Sequence, residues 1–143
     1  MERLVISEKL GSLLGGLRVE AALFTTYAFD PEFFELEVIP LLLPGDTAFS
    51  SDSRVKTFQV REALRDNPIP LDVFYDLPLF REQGQSSPAM EYGCHGVDRG
   101  NAAFHPKLVV LLVRDEESDA QGLLVGAGSN NLTQAGWWEN IEC

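Results

Sequence analysis

Residues 102–142 read AAFHPKLVVLLVRDEESDAQGLLVGAGSNNLTQAGWWENIE, and the order of apolar and polar runs in this stretch decides the fold. Ala102–Val113 is strongly apolar and predicts a strand that carries one histidine and one lysine. Asp115–Asp119 holds four acids in five residues, as an exposed hairpin or loop would. Gly122–Val125 predicts a second strand. A Gly/Ser/Asn turn then leads to a helix over Leu132–Trp138.

Upstream the alternation continues. Val19–Tyr27 (VEAALFTTY) predicts a buried strand, preceded by a short helix over 8–15 that Gly15-Gly16 stops. Asp30-Pro31 supplies a helix N-cap followed by proline at the first helical position. Phe33, Phe34 and Val38 give that second helix an apolar face, Glu32 and Glu35 suit its positive end, and Pro40 bends or ends it. Pro44-Gly45-Asp46 is a turn. Val55–Arg65 predicts a surface helix and Leu71–Tyr75 a short strand. Residues 78–100, with several Gly, Ser and Pro, show little periodicity and predict an irregular loop. The sum is an α/β fold, a mixed β-sheet flanked by helices.

Composition sets the outer limits. A chain of 143 residues is the size of one domain, and 45% hydrophobic content is too high for intrinsic disorder. A net charge of −11 excludes a broadly basic surface for nucleic acid or anionic membrane, while leaving room for a small basic pocket. Cys94 and Cys143 are too few for a disulfide framework and read as free thiols. No apolar run approaches the roughly 20 residues of a membrane span. Glu2 and Lys9 do not suit a secretory signal, so a cytoplasmic location is expected.

The chemistry concentrates in His105, Lys107, Ser129, Asn131 and Glu142. On a strand, His105 and Lys107 leave the same face, and a lysine inside a buried strand calls for an anionic partner. Ser129 and Asn131 share the same spacing after the next strand, so pairing of the two strands would converge a histidine, a lysine, a hydroxyl and an amide. That set suits a phosphodiester. Lys107 and the Asn131 amide serve the non-bridging oxygens, and His105 attacks phosphorus or protonates a leaving oxygen. Glu142 is a candidate to orient an imidazole. No carboxylate cluster accompanies these residues, so neither a metal nor another cofactor is implied.

The segment FHPKLVVLLV followed by GSNNLTQAGWWENIE resembles the HxK…GSxN pattern of the phospholipase D superfamily, with Asn140-Ile141-Glu142 similar to its trailing N-x-E. The stretch FTTYAFDPEFF is also similar to the opening of nuclease domains in that superfamily, whereas the middle of the chain matches poorly. The resemblance implies that His105 is a nucleophile forming a phosphohistidine. Lys107 and Asn131 would bind phosphate, Ser129 would support the pocket and Glu142 would orient an imidazole. The phospholipase-type motif carries an Asp five residues after the lysine, and Leu112 stands there instead. In this respect the chain is closer to the tyrosyl-DNA phosphodiesterase branch.

Active members of the superfamily bring two HxK motifs together, and this chain holds one. The resemblance therefore implies a single domain over residues 1–143, the N-terminal half of a longer protein, with a second lobe in cis beyond Cys143 or in trans in a homodimer. The isolated chain is expected to be inactive. The expected substrate is a phosphodiester, DNA or RNA. A phospholipase or phosphatidyltransferase lobe is the rival chemistry, and a non-catalytic binding module the rival class. Blander readings cover what remains. Gly126-Ala127-Gly128 lacks the third glycine of a dinucleotide loop. Cys94-His95 has no second pair to make a metal site, and Trp137-Trp138 reads first as core packing. Asn130 competes with Asn131 for phosphate or caps the helix that follows.

Overall fold

A computed structural model describes residues 6–45 and 48–139. The element order is α1 (Ile6–Leu13), β1 (Leu17–Thr26), α2 (Pro31–Phe33), a π-helical turn (Phe34–Val38), α3 (Ile39–Leu42), α4 (Ser53–Asp66), β2 (Leu71–Asp76), α5 (Leu77–Gln83), β3 (Gly93–Val97), β4 (Leu108–Asp115) and β5 (Gln121–Ala127), ending in a second π-helical turn (Ala135–Glu139). The strands form one mixed five-stranded sheet in the order β3-β2-β1-β4-β5. β1, β2 and β3 run parallel, while β4 and β5 are antiparallel to their neighbours. The α/β class read from the alternation is the class observed.

Strand parity places the core. Ala22, Phe24, Leu71, Val73, Leu111 and Val113 share one sheet face and are buried against Phe33, Phe34, Val38, Ile39 and Val60 from the helices. Phe24 meets Phe34 edge to face at 5.1 Å, and Phe29 meets Phe34 at 5.8 Å. The opposite face carries Leu23, Leu108, Leu123 and Val125, all exposed.

Most boundaries follow their local chemistry. Gly16, at a φ of +75°, turns the chain from α1 into β1, a backbone region that favours glycine. Asp30 caps α2 by accepting from the Phe33 N–H. Pro40 does not end the helix; it has no N–H to give Leu36, and the preceding turn widens so that the Ile39 N–H reaches Phe34 O.

Two expectations are corrected. Residues 78–100 are not an irregular loop, for they hold α5 and the edge strand β3. A GCHGV strand has weak intrinsic preference, and its order comes from pairing with β2. The helix expected at Leu132–Trp138 is chiefly the π-helical turn. Glu35, read only as suiting the positive end of its helix, is in addition buried. It is 4% exposed, and its Oε1 accepts the Ala89 and Met90 N–H groups at 2.8 and 3.1 Å, tying the loop before β3 to the helical layer.

Burial is the main influence on Glu35 and raises its pKa above the usual 4.5, against the lowering effect of those two hydrogen bonds. The folded chain therefore holds this proton more tightly than the unfolded chain. The contribution of Glu35 to stability is full below pH 4.5 and declines as pH rises through the folded pKa. Glu35→Gln keeps an acceptor for both N–H groups without the charge. Its denaturation midpoint is expected to match or exceed the parent's at pH 7 and to lose that decline. Glu35→Ala strands the Ala89 and Met90 donors and is expected to cost about 1–3 kcal/mol for each, about 2–6 kcal/mol together. Equal losses in both variants would show that the charge itself is required.

Candidate active site

The parallel strands β1, β2 and β3 end on one side of the sheet, and β4, running the other way, begins there. Thr25 is the register partner of Leu108, and Leu108 is the partner of Ala127 at the end of β5. The segment entering β4 and the segment leaving β5 thus meet at the carboxyl end of β1. The Gly128 N–H donates to Lys107 O at 3.2 Å and joins them. From β1 the chain order steps to β2 on one side and to β4 on the other, the kind of switch point where ligands bind in open α/β sheets.

Two adjacent threonines at the end of β1 clamp the two halves of the motif. Thr25 Oγ1 accepts the Leu108 N–H at 2.9 Å and donates to Pro106 O at 3.0 Å, fixing the backbone on both sides of Lys107. Thr26 Oγ1, buried, donates to Ala28 O at 2.7 Å and accepts the Leu132 N–H at 3.0 Å. Asn131 Oδ1 accepts the Ala28 N–H at 2.9 Å. Alternation along the strand sends consecutive side chains to opposite faces, so one Thr-Thr pair serves both segments.

His105 and Lys107 are not on a strand. They lie in the extended segment before β4, with His105 exposed and Lys107 half-buried. The expectation of a lysine buried within a strand is overturned, because Pro106 has no N–H for a ladder and pairing starts only at Leu108. The two side chains nevertheless converge. Lys107 Nζ lies 3.0 and 3.2 Å from the ring nitrogens of His105 and 3.1 Å from His105 O. The Tyr27 ring backs both, with its centre 4.8 Å from the imidazole centre and 5.9 Å from Nζ.

Asn131 Oδ1 faces a backbone donor, so the amide orientation is set and its Nδ2 points the other way. Among the described residues Nδ2 has no hydrogen-bond partner. Asn130 neither caps the next helical turn nor parallels Asn131; its Nδ2 donates to Gly136 O at 2.6 Å, and Thr133 Oγ1 takes the capping role toward the Gly136 N–H. Ser129 lies in the same turn, half-buried between Gly128 and Asn130. Glu142, with Asn140 and Cys143, lies outside the described residues. Trp137 is buried against Phe33, as core packing requires.

A cavity of about 340 Å³ opens beside Lys107, between α1 and the β4–β5 end of the sheet, with Lys9, Thr25, Asn130, Leu124 and Trp137 in its walls. His105 is not among its lining residues. Among the described residues no group of three His, Cys, Asp or Glu side chains is placed to hold a metal.

Sequence reasoning missed Asp76. This carboxylate is buried at the end of β2, where Oδ2 accepts the Leu79 N–H at 3.0 Å and caps α5. Its Oδ1 accepts the Phe104 N–H at 2.8 Å and so holds the backbone immediately before His105. The Asp76-Leu77-Pro78 order carries the capping signal. The bond across 28 residues to Phe104 left no local trace.

No family model matches the chain, and no curated protein matches it.

Proposed function

We propose that the chain is one lobe of a metal-independent phosphodiesterase of the phospholipase D type, acting as a nuclease on DNA or RNA. The observation that carries this reading is the double threonine clamp, which brings His105-x-Lys107 and the Ser129–Asn131 turn to one sheet end. Lys107 supplies positive charge for the non-bridging oxygens, and the Asn131 Nδ2 donates to the same phosphate. An imidazole nitrogen of His105 forms a bond to phosphorus as the bond to the leaving oxygen breaks. That oxygen takes its proton from the histidine of a second HxK motif, carried by another lobe in cis or in trans. Water activated by the same second histidine then cleaves the phosphohistidine, returning His105. Cysteine usage supports a cytoplasmic setting, with Cys94 a free thiol. Among the described residues no helix is long and apolar enough to cross a membrane.

The test is to incubate the full-length protein with an oligonucleotide labelled at an internal phosphate, in EDTA, and quench into alkali or acid. Cleavage is expected, with transient labelling of protein that survives alkali and is lost in acid, the behaviour of phosphohistidine. Cleavage that needs an added divalent cation, or no cleavage by either the chain or its assembled form, would overturn the proposal.

A further inference from the structure

The second histidine of the chain sits in a built arrangement of its own. His95 Nε2 lies 2.7 Å from Asp72 Oδ1, and the His95 ring stacks on Phe74 with centres 4.4 Å apart and planes 21° apart. Gly93 makes the room: a Cβ there would stand 2.0 Å from Asp72 Oδ1 and 2.9 Å from His95 Nε2. Any other residue at 93 would push the pair apart. Asp72 thereby holds the imidazole upright against Phe74, and β3 is the last strand on its side of the sheet. One ring face is covered by Phe74, among the described residues no strand stands beyond the other, and the side chain is 44% exposed.

Register relates this ledge to the candidate active site. His95 pairs with Phe74, Phe74 with Thr25, and Thr25 with Leu108, so all four lie in one row near the carboxyl ends of the parallel strands. His95, Phe74 and Thr25 project from the sheet face opposite the helices, and Tyr27 follows Thr25 in the same parity. Two strand spacings, about 10 Å, separate β3 from β1. The loop from β3 to β4 crosses the ends of these strands and carries Arg99, which has no ion-pair partner among the described residues.

The geometry points to a nucleobase-stacking subsite on His95, which receives a base near the scissile phosphate of a single-stranded nucleic acid. It rests on the nucleic-acid reading given above and deepens it. A flat, half-exposed ring fixed from behind suits a π-face, and stacking on such rings tolerates any base. The Asp72 carboxylate beside it repels phosphate, so the group taken there is the uncharged base. Arg99, exposed in the connecting loop, supplies a positive charge for the sugar–phosphate backbone that runs between the ledge and Lys107.

The experiment measures binding, which a lone lobe can show without turnover. A fluorescent oligothymidylate and an abasic sugar–phosphate strand of equal length are titrated with the protein, with His95→Ala and with His95→Phe, by anisotropy in EDTA. The parent is expected to prefer the base-bearing strand. His95→Ala is expected to weaken that strand alone by about 5- to 100-fold, and His95→Phe to restore it. As a readout that needs no variant, 2-aminopurine placed in the strand is expected to be quenched on binding the parent protein. Equal affinity for both strands, equal weakening of both by His95→Ala, or bound 2-aminopurine without quenching would overturn the stacking subsite while leaving the phosphodiesterase reading in place. Failure of the parent to bind either strand would instead overturn the nucleic-acid reading and the subsite with it.

Discussion

Full-length protein carrying His105→Ala is expected to lose EDTA-resistant cleavage by roughly 10⁴-fold or more, the scale on which removal of a covalent nucleophile is felt. Its fold is expected to survive. His105 is exposed, and its contacts are the Lys107 ammonium and one face of Tyr27, so no buried donor or acceptor is stranded. The denaturation midpoint should therefore stay within about 0.5 kcal/mol of the parent's, as for other surface substitutions. The covalent label should vanish with the activity. Cleavage by the variant at the parental rate would remove His105 from the chemistry altogether, whatever the fate of the remaining motif.

At Asp76 the expected loss is chiefly one of stability. Its two carboxylate oxygens each hold a backbone N–H, one from the first turn of α5 and one from the residue before His105. Asp76→Ala strands both partly buried donors, and at about 1–3 kcal/mol per stranded group the combined cost is about 2–6 kcal/mol. Asp76→Asn offers one acceptor oxygen and one donating amide, so it satisfies only one of the two and is expected to fall between the parent and the alanine variant. Residual cleavage by folded Asp76→Asn should drop as well, because the His105 backbone loses its tether or α5 loses its cap. Urea denaturation of the three proteins, with cleavage measured well below the midpoint, separates the two effects. An unchanged midpoint in Asp76→Ala would show that Asp76 does not hold this end of the sheet.

The motif residues were legible because each segment announces itself locally. His105-x-Lys107 precedes an unbroken apolar run, and the Gly/Ser/Asn turn follows another, so two strands with polar groups at adjoining ends could be read from patterning alone. Their antiparallel pairing follows from the short acidic connection, where Asp115 accepts the Glu117 and Ser118 N–H groups and Asp119 adopts a φ of +60°. Those two hydrogen bonds hold the Asp115 carboxyl below its usual pKa. The placement of His105 and Lys107 on the strand failed because the strand begins at Leu108 and not at Ala102. Apolar periodicity counts Ala102–Phe104 toward the strand, whereas the ladder needs N–H groups and stops short of Pro106.

What the sequence by itself determined is the α/β class, the order of its principal elements and the identity of the polar groups that border the apolar strands. These depend on spacing, capping and side-chain volume within a few residues. Only the tertiary structure decided that β3 joins the sheet, that Glu35 is buried, that Thr25 and Thr26 clamp opposite halves of one motif and that Asp76 reaches Phe104. Each of these rests on a hydrogen bond or strand pairing between residues distant in the chain. Such bonds are formed by ordinary Thr, Asp, Glu and Gly residues, whose types are compatible with many surroundings. Their partners are settled when the hydrophobic layers pack and leave particular backbone N–H groups with no water to turn to.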